Sequence, residues 1–274
     1  FVGSTLDVLV GIIYLLKNYD NICSTIDAQF IDNQELCKYY KNIGIDGRTN
    51  CEFMNFEAIW VFNKLHFSSN FHQNFKKCST KKRFTILPLG IELKNASHAN
   101  YLIYDSKFNE IERFEPFGSS APYKFDYSYG LLDKLLEKKF KSIDTNIKYI
   151  SPKDYMPKIG FQFYDSLETN RRKIGDPGGF CALWAIWYAE QRLIYCDISR
   201  EKLVNKMIGA IKKQNMSFKN LIRNYSKNIT NIRDEILKKA KVTINDILND
   251  QLTENQVEII INEIILFINK YNKL

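Results

Sequence analysis

A glycine-rich turn that runs straight into an apolar stretch of helical length constrains this chain more than any other feature: Gly175-Asp176-Pro177-Gly178-Gly179-Phe180-Cys181-Ala182-Leu183-Trp184-Ala185-Ile186-Trp187-Tyr188. Asp-Pro followed by Gly-Gly is turn chemistry. From Cys181 to about Leu193 nothing breaks a helix, and the segment is apolar almost all round, which predicts burial. The Cys181 sulfur then sits in the first turn of a buried helix, beside unpaired backbone N–H groups and the positive end of the helix dipole. That setting stabilises a thiolate, the nucleophilic form of cysteine. The same residue also fits a small core position, because free cysteine is among the most buried residue types. A nearby base and an orienting acid would decide for the nucleophile.

Candidates for both lie upstream. Two β-prone runs, Ala99–Tyr104 and Ile111–Phe114, flank a polar cluster from Asp105 to Asn109, which predicts a hairpin. With the turn centred between Ser106 and Lys107, paired residue numbers sum to 213 and His98 lies opposite Glu115. Directly opposed side chains have Cβ atoms about 4.5–5.5 Å apart. A carboxylate at that distance fixes one imidazole tautomer and stabilises its charged form. The same run continues as Phe114-Glu115-Pro116-Phe117-Gly118.

The order of these residues resembles a known family. His98, a Phe-Glu-Pro-Phe-Gly pentapeptide with its Glu seventeen residues on, and a Gly-rich turn into a Cys-headed helix together look like the adenovirus maturation protease. More broadly they are similar to the clan that includes the SUMO-specific and related ubiquitin-like-protein proteases, in a version of the large-DNA-virus type. The likeness covers about His98 to Tyr188, and the pentapeptide is its most specific part. It implies general base for His98, orienting acid for Glu115 and nucleophile for Cys181. It also implies one papain-like cysteine peptidase unit over residues 1–274. Within it, 1–80 would form an N-terminal helical layer, 81–199 the sheet and catalytic core, and 200–274 a C-terminal helical bundle.

Two positions depart from the clan pattern. The residue after its His is usually aromatic, and here it is Ala99, so the wall of the substrate channel would come from elsewhere. The clan also places an oxyanion-hole Gln about six residues before the Cys, where this chain has Gly175 and Asp176. Two residues remain open for that role, Gln162 and Asp176. Gln162 stands nineteen residues before Cys181 and is favoured, with Leu167–Lys173 as an insertion. An amide N–H donates to a developing oxyanion, whereas an ionised Asp176 would repel it. As a strand residue Gln162 would equally fit the surface.

The remainder of the chain predicts an α+β fold. In it, a mostly antiparallel central sheet packs against the buried Cys-headed helix, with helical layers added at both ends. Thr5–Lys17, Asn33–Tyr40 and Asn55–Leu65 read as helices, with Asn42–Cys51 a loop that could cover the site. The apolar run ending at Leu16 is shorter than the roughly 20 residues a membrane span needs. Arg83–Leu93 is β-prone, with Pro88 marking an edge or bend. Tyr129–Phe140 reads as a helix and Asn146–Ile150 as a strand. Further helices follow at Asp197–Ala210, Ser217–Tyr225, Asn231–Lys239, Thr243–Asn249 and Thr253–Tyr271, the last two with capping boxes at Thr243/Asp246 and Thr253/Gln256.

Six cysteines at irregular spacing, Cys23, Cys37, Cys51, Cys78, Cys181 and Cys196, with no secretory signal, predict reduced thiols in an intracellular setting, host cytoplasm or virion. His66 and His72 with Cys78 fit no zinc spacing, so no metal and no cofactor is expected. The net charge of +8 is spread along the chain, with no concentrated basic face for nucleic acid and no membrane segment. Because the sequence opens on Phe1 rather than Met, it is expected to begin inside a longer chain.

Chemically, the pattern predicts acyl transfer through a Cys181 thioester. By resemblance the substrate is a bond after a Gly-Gly-type site. Ubiquitin or a ubiquitin-like modifier joined to lysine would offer that, and so would a viral structural precursor processed during capsid maturation. The added helical layers favour the folded modifier. An acetyltransferase built on the same residues, a non-catalytic modifier-binding module and, ranked last, nucleic-acid binding through the net positive charge remain the alternatives.

Overall fold

In the computed structural model, which describes residues 1–26, 57–93, 96–120, 122, 125, 127–168, 179–249 and 251–272, the chain opens with helix α1, Thr5–Asn18. The Ser4 hydroxyl caps it by accepting from the Asp7 amide. Nearly every side chain of α1 is buried, as its continuous apolar run requires. Its one buried charge, Asp7, is matched. One carboxylate oxygen accepts from the Val2 and Gly3 amides, and the other pairs with Arg233 at 2.9 Å.

A seven-stranded mixed sheet follows: β1 (Ile22–Ser24), β2 (Ala58–Val61), β3 (Lys64–Phe67), β4 (Phe84–Leu93), β5 (Ala96–Asp105), β6 (Glu110–Phe114) and β7 (Lys148–Ile150). Its order is β3-β2-β4-β5-β6-β7, with β1 also on β4. The long ladders β4–β5 and β5–β6 are antiparallel, as is β2–β3. The pairs β1–β4, β2–β4 and β6–β7 are parallel, which corrects the expected mostly antiparallel sheet to a mixed one. Pro88 lies inside central strand β4 rather than at an edge. It falls between the stretch paired with β1, Phe84–Ile86, and the stretch paired with β2, Leu89–Glu92, so neither ladder needs its missing N–H.

The expected helix Asn55–Leu65 is instead, from Ala58 onward, the β2–β3 hairpin, turning at Phe62 (φ 45°) and Asn63 (φ 59°). Left-handed backbone suits Asn but costs about 1–2 kcal/mol for a bulky L-residue such as phenylalanine. The readings of Asn33–Tyr40 as a helix and Asn42–Cys51 as a loop lie outside the described residues.

Helices cover both faces of the sheet. On one side lie α2 (Phe71–Lys81) and α3 (Tyr129–Ile143), whose Phe71, Phe75, Leu136 and Phe140 pack on Trp60, Leu89, Ile91 and Leu102. On the other, α1 packs with α5 (Cys181–Ile194), α6 (Arg200–Lys213), α7 (Phe218–Lys239) and α9 (Glu254–Tyr271) against Phe84, Ile86, Tyr101, Ile103 and Phe114. Among the described residues there are also two short α-helices, α4 (Phe161–Leu167) and α8 (Ile244–Leu248), and a 3-10 turn at Pro152–Asp154. The expected pair Ser217–Tyr225 and Asn231–Lys239 is one continuous helix, α7. Its buried stripe of Ile222, Ile229, Ile232 and Ile236 bridges the polar stretch that reads as a break. Both capping boxes are present.

Cys23 on β1 and Cys78 on α2 form a disulfide, which corrects the expectation of reduced thiols. Packing of α2 beside β1 sets their Cα atoms 5.4 Å apart, a separation that spacing along the chain does not reveal. Cys181 and Cys196 are free, and Cys37 and Cys51 lie outside the described residues. Among the described residues no helix is long and apolar enough to cross a membrane.

Candidate active site

The hairpin that carries His98 and Glu115 has a four-residue turn, Ser106–Asn109, closed by Asn109 at φ 52°. Tyr101 pairs with Phe114 and Asp105 with Glu110, so paired numbers sum to 215 rather than the expected 213. A shift of two residues keeps every side chain on its face, whereas a shift of one reverses them. His98 and Glu115 therefore become diagonal neighbours, still within side-chain reach. His98 Nε2 lies 2.7 Å from Glu115 Oε1, and both side chains are buried.

Glu115 is held from several directions. Its Oε2 accepts from Asn100 Nδ2 at 3.1 Å and from the Tyr127 hydroxyl at 3.0 Å, and Oε1 also accepts from the Phe117 amide. Asn100 in turn accepts from Arg113 Nη1 at 2.6 Å, and Arg113 pairs with Asp133 of α3. Burial pushes the Glu115 carboxyl up, but the His98 and Arg113 charges and the Phe117 amide outweigh it and hold it below the ordinary range. An ionised carboxylate only accepts, so the Nε2 proton belongs to His98. That leaves Nδ1, which has no conventional hydrogen-bond partner, as the nitrogen available to Cys181. Burial opposes charge on His98. The Glu115 carboxylate and the Cys181 side chain overcome it, pushing His98 up to about 10.

Cys181 is the first residue of α5 and is partly exposed, at the helix head where the sequence places it. Gln162 lies on α4 rather than on a strand, and it is 6% exposed rather than a surface residue. Its side-chain amide packs on Gly179, two residues before the cysteine. A Cβ at Gly179 would come within 2.7 Å of Gln162 Nε2. The amide oxygen, Oε1, is buried without a partner. Asp176, the other residue considered for that role, lies outside the described residues.

The pentapeptide explains how Gln162 reaches this position. Its Pro116 and Phe117 carbonyls accept from the Gln162 and Gly160 amides at 3.0 and 2.6 Å, and Ser119 N–H donates to Pro157 O at 2.9 Å. Gly118 (φ 130°) and Gly160 pass so closely that a Cβ on either would meet backbone at 2.5–2.6 Å. The segment that supplies the acid thus clamps the start of the amide's helix. A second tie joins α4 to α5, where Trp184 Nε1–H donates to Asp165 Oδ2 at 2.6 Å. Burial pushes the Asp165 carboxyl up to about 6, although the Trp184 bond opposes the rise.

Around His98 the rings of Phe125 and Phe117 stand at centroid distances of 5.2 and 6.1 Å. They supply an aromatic wall that Ala99, itself buried against the helical face, does not. Sequence reasoning missed Asn100, Arg113 and Tyr127. The available signal was Asn100, two residues beyond His98 and so on the same face of an otherwise apolar strand.

The structure thus brings His98, Glu115, Cys181 and Gln162 to one end of the sheet. No protein-family model matches the chain. A putative ankyrin repeat protein of Acanthamoeba polyphaga mimivirus is 43% identical over 279 residues, covering 97% of this chain. The chain spans 36% of that relative's length. Among solved structures, ChlaDub1 from Chlamydia trachomatis is similar with a TM-score of 0.41 at 10% identity, covering 84% of this chain and 94% of that one. The Chlamydia trachomatis effector protein Cdu1, in a structure bound to ubiquitin, has a TM-score of 0.33 at 11% identity, covering 77% and 92%.

Proposed function

We propose that the chain is a thiol-dependent cysteine peptidase that cleaves after Gly-Gly-type sites, removing ubiquitin or a ubiquitin-like modifier through a Cys181 thioester. The observation that carries this reading is the buried His98–Glu115 hydrogen bond at 2.7 Å, with His98 Nδ1 left for a cysteine at a helix head. Glu115 and Cys181 favour the charged form of His98, so its Nδ1 takes the Cys181 proton to give imidazolium and thiolate. The thiolate attacks the scissile carbonyl carbon. The oxyanion that forms accepts from Gln162 Nε2 and from the Cys181 backbone N–H. The Nδ1 proton of His98 passes to the leaving amine as the C–N bond breaks, which leaves the thioester. A water then attacks that thioester and gives its proton to His98. The acid product departs and the thiolate returns. Phe117 and Phe125 crowd the approach to His98, and a Gly-Gly tail, lacking side chains, fits such a passage.

Two measurements on a ubiquitin fusion bearing a Gly-Gly junction test the roles. Gln162→Ala is expected to lower kcat by about 10²–10³-fold with little change in KM, as loss of an oxyanion donor does. A change below threefold would remove Gln162 from the reaction. The second measurement is a pH profile. Because the imidazolium must protonate the leaving amine, kcat/KM should persist through neutral pH and fall as pH rises through about 10. Glu115→Gln removes the charge that raises His98, so that limb should move down by at least about 1 pH unit, toward the ordinary histidine value. An unmoved limb would contradict the assignment.

A further inference from the structure

We propose that the tip of the β2–β3 hairpin, Phe62–Asn63, is a docking point for the folded body of the modifier whose Gly-Gly tail enters the active site. The proposal rests on the peptidase reading above and adds a recognition surface outside the catalytic residues.

Three observations converge on Phe62. Its side chain is 54% exposed, so folding gains little from it. Its backbone is left-handed at φ 45°, a conformation that Gly or Asn would adopt at less cost, so the turn itself does not call for phenylalanine. Strain kept at an exposed position without a packing gain is a mark of function. The third observation is place. Trp60 of β2 and His98 of β5 flank the same residue, Ile91 of β4, so the tip projects two residues beyond the row that holds the histidine. With strands about 4.8 Å apart and a rise of about 3.3 Å per residue, the Phe62 and His98 Cα atoms stand about 12 Å apart. A protein partner's footprint of about 800 Å² covers both.

Another exposed ring provides the contrast. Phe108, 53% exposed, sits in the β5–β6 turn at the opposite end of the sheet. Arg83 and Lys107 lie over its face, so that ring is engaged within the fold. Phe62 offers an apolar anchor at the catalytic end. The partner it fits is a compact protein presenting an apolar surface patch near a flexible Gly-Gly tail. An exposed aromatic anchor of this kind contributes to affinity out of proportion to its area.

The test compares the parent with Phe62→Gly on two substrates, a short peptide amide ending in Gly-Gly and ubiquitin extended through the same junction. Glycine tolerates the left-handed turn, so thermal stability should hold or rise. Expected is a rise in KM of about tenfold or more for the ubiquitin substrate, with kcat kept and peptide cleavage within about twofold of the parent. Equal effects on both substrates, no effect on either, or a parent with no preference for ubiquitin over the peptide would overturn the docking proposal and leave the catalytic reading intact. A parent that cuts neither substrate strikes the catalytic reading instead. Docking is then decided by titrating ubiquitin into Cys181→Ala protein with and without Phe62→Gly. About tenfold weaker binding supports it, and equal or absent binding overturns it. A concentration-dependent dimer lost in Phe62→Gly would assign the tip to a second copy of the chain and overturn it too.

Discussion

Cys181→Ala is expected to lower kcat/KM by about 10⁴-fold or more on a Gly-Gly ubiquitin fusion while leaving the protein folded. The two halves of that expectation have separate causes. The proposed reaction has no nucleophile without the sulfur, and no other described free thiol lies at a helix head, since Cys196 falls after the end of α5. The side chain is partly exposed at the head of α5, and losing one sulfur there changes stability by about 1 kcal/mol or less. His98 keeps Glu115 as its counter-charge, so the substitution strands no buried cation. Residual turnover within about tenfold of the parent would mean that the thioester is not on the path.

The largest expected effect on stability lies away from the site, at Glu112. This carboxylate on β6 is fully buried and accepts from the Tyr188 hydroxyl at 2.8 Å and from Arg192 Nε at 3.1 Å, both on α5. Arg200, at the start of α6, bonds it as well. One side chain therefore fastens the sheet to the helix that carries the cysteine and to the helix after it. Glu112→Ala leaves the buried Arg192 without its counter-ion, whereas Arg200 retains Glu110 at 2.5 Å. Breaking a buried pair from one side costs about 3–5 kcal/mol. The urea midpoint should fall by more than about 1 M. A loss under about 1 kcal/mol would show that the cluster adds nothing net to folding.

Much of the site is legible in the sequence because chemistry and local structure coincide there. The helix head is announced by Gly178-Gly179 before an unbroken apolar run, and the acid by a pentapeptide whose Gly118 has to admit the backbone of Gly160. The hairpin register was harder to read. The turn, closed by a left-handed Asn109, is centred one residue later than the expected point between Ser106 and Lys107, and His98 still meets Glu115 because an even shift preserves the face.

Other features depend on tertiary neighbours. Ala58–Val61 reads as helix or strand by its apolar content alone, and a Phe-Asn turn gives no glycine signal. Pro88 is tolerated in a central strand only because β1 and β2 leave a gap beside it. Disulfide pairing likewise follows from which elements pack together. The support around Glu115 from Asn100, Arg113 and Tyr127 is drawn from three different elements, so no single motif could carry it.

The most direct measurement of the Cys181 expectation is covalent capture. Ubiquitin carrying an electrophilic warhead in place of its terminal glycine is incubated with the intact protein, and the modified residue is located by mass spectrometry. The account predicts one adduct, on Cys181 and not on Cys196, that disappears in His98→Ala and forms in the folded protein only. An adduct on Cys196, capture that survives His98→Ala at the parent rate, or no capture at all would contradict it.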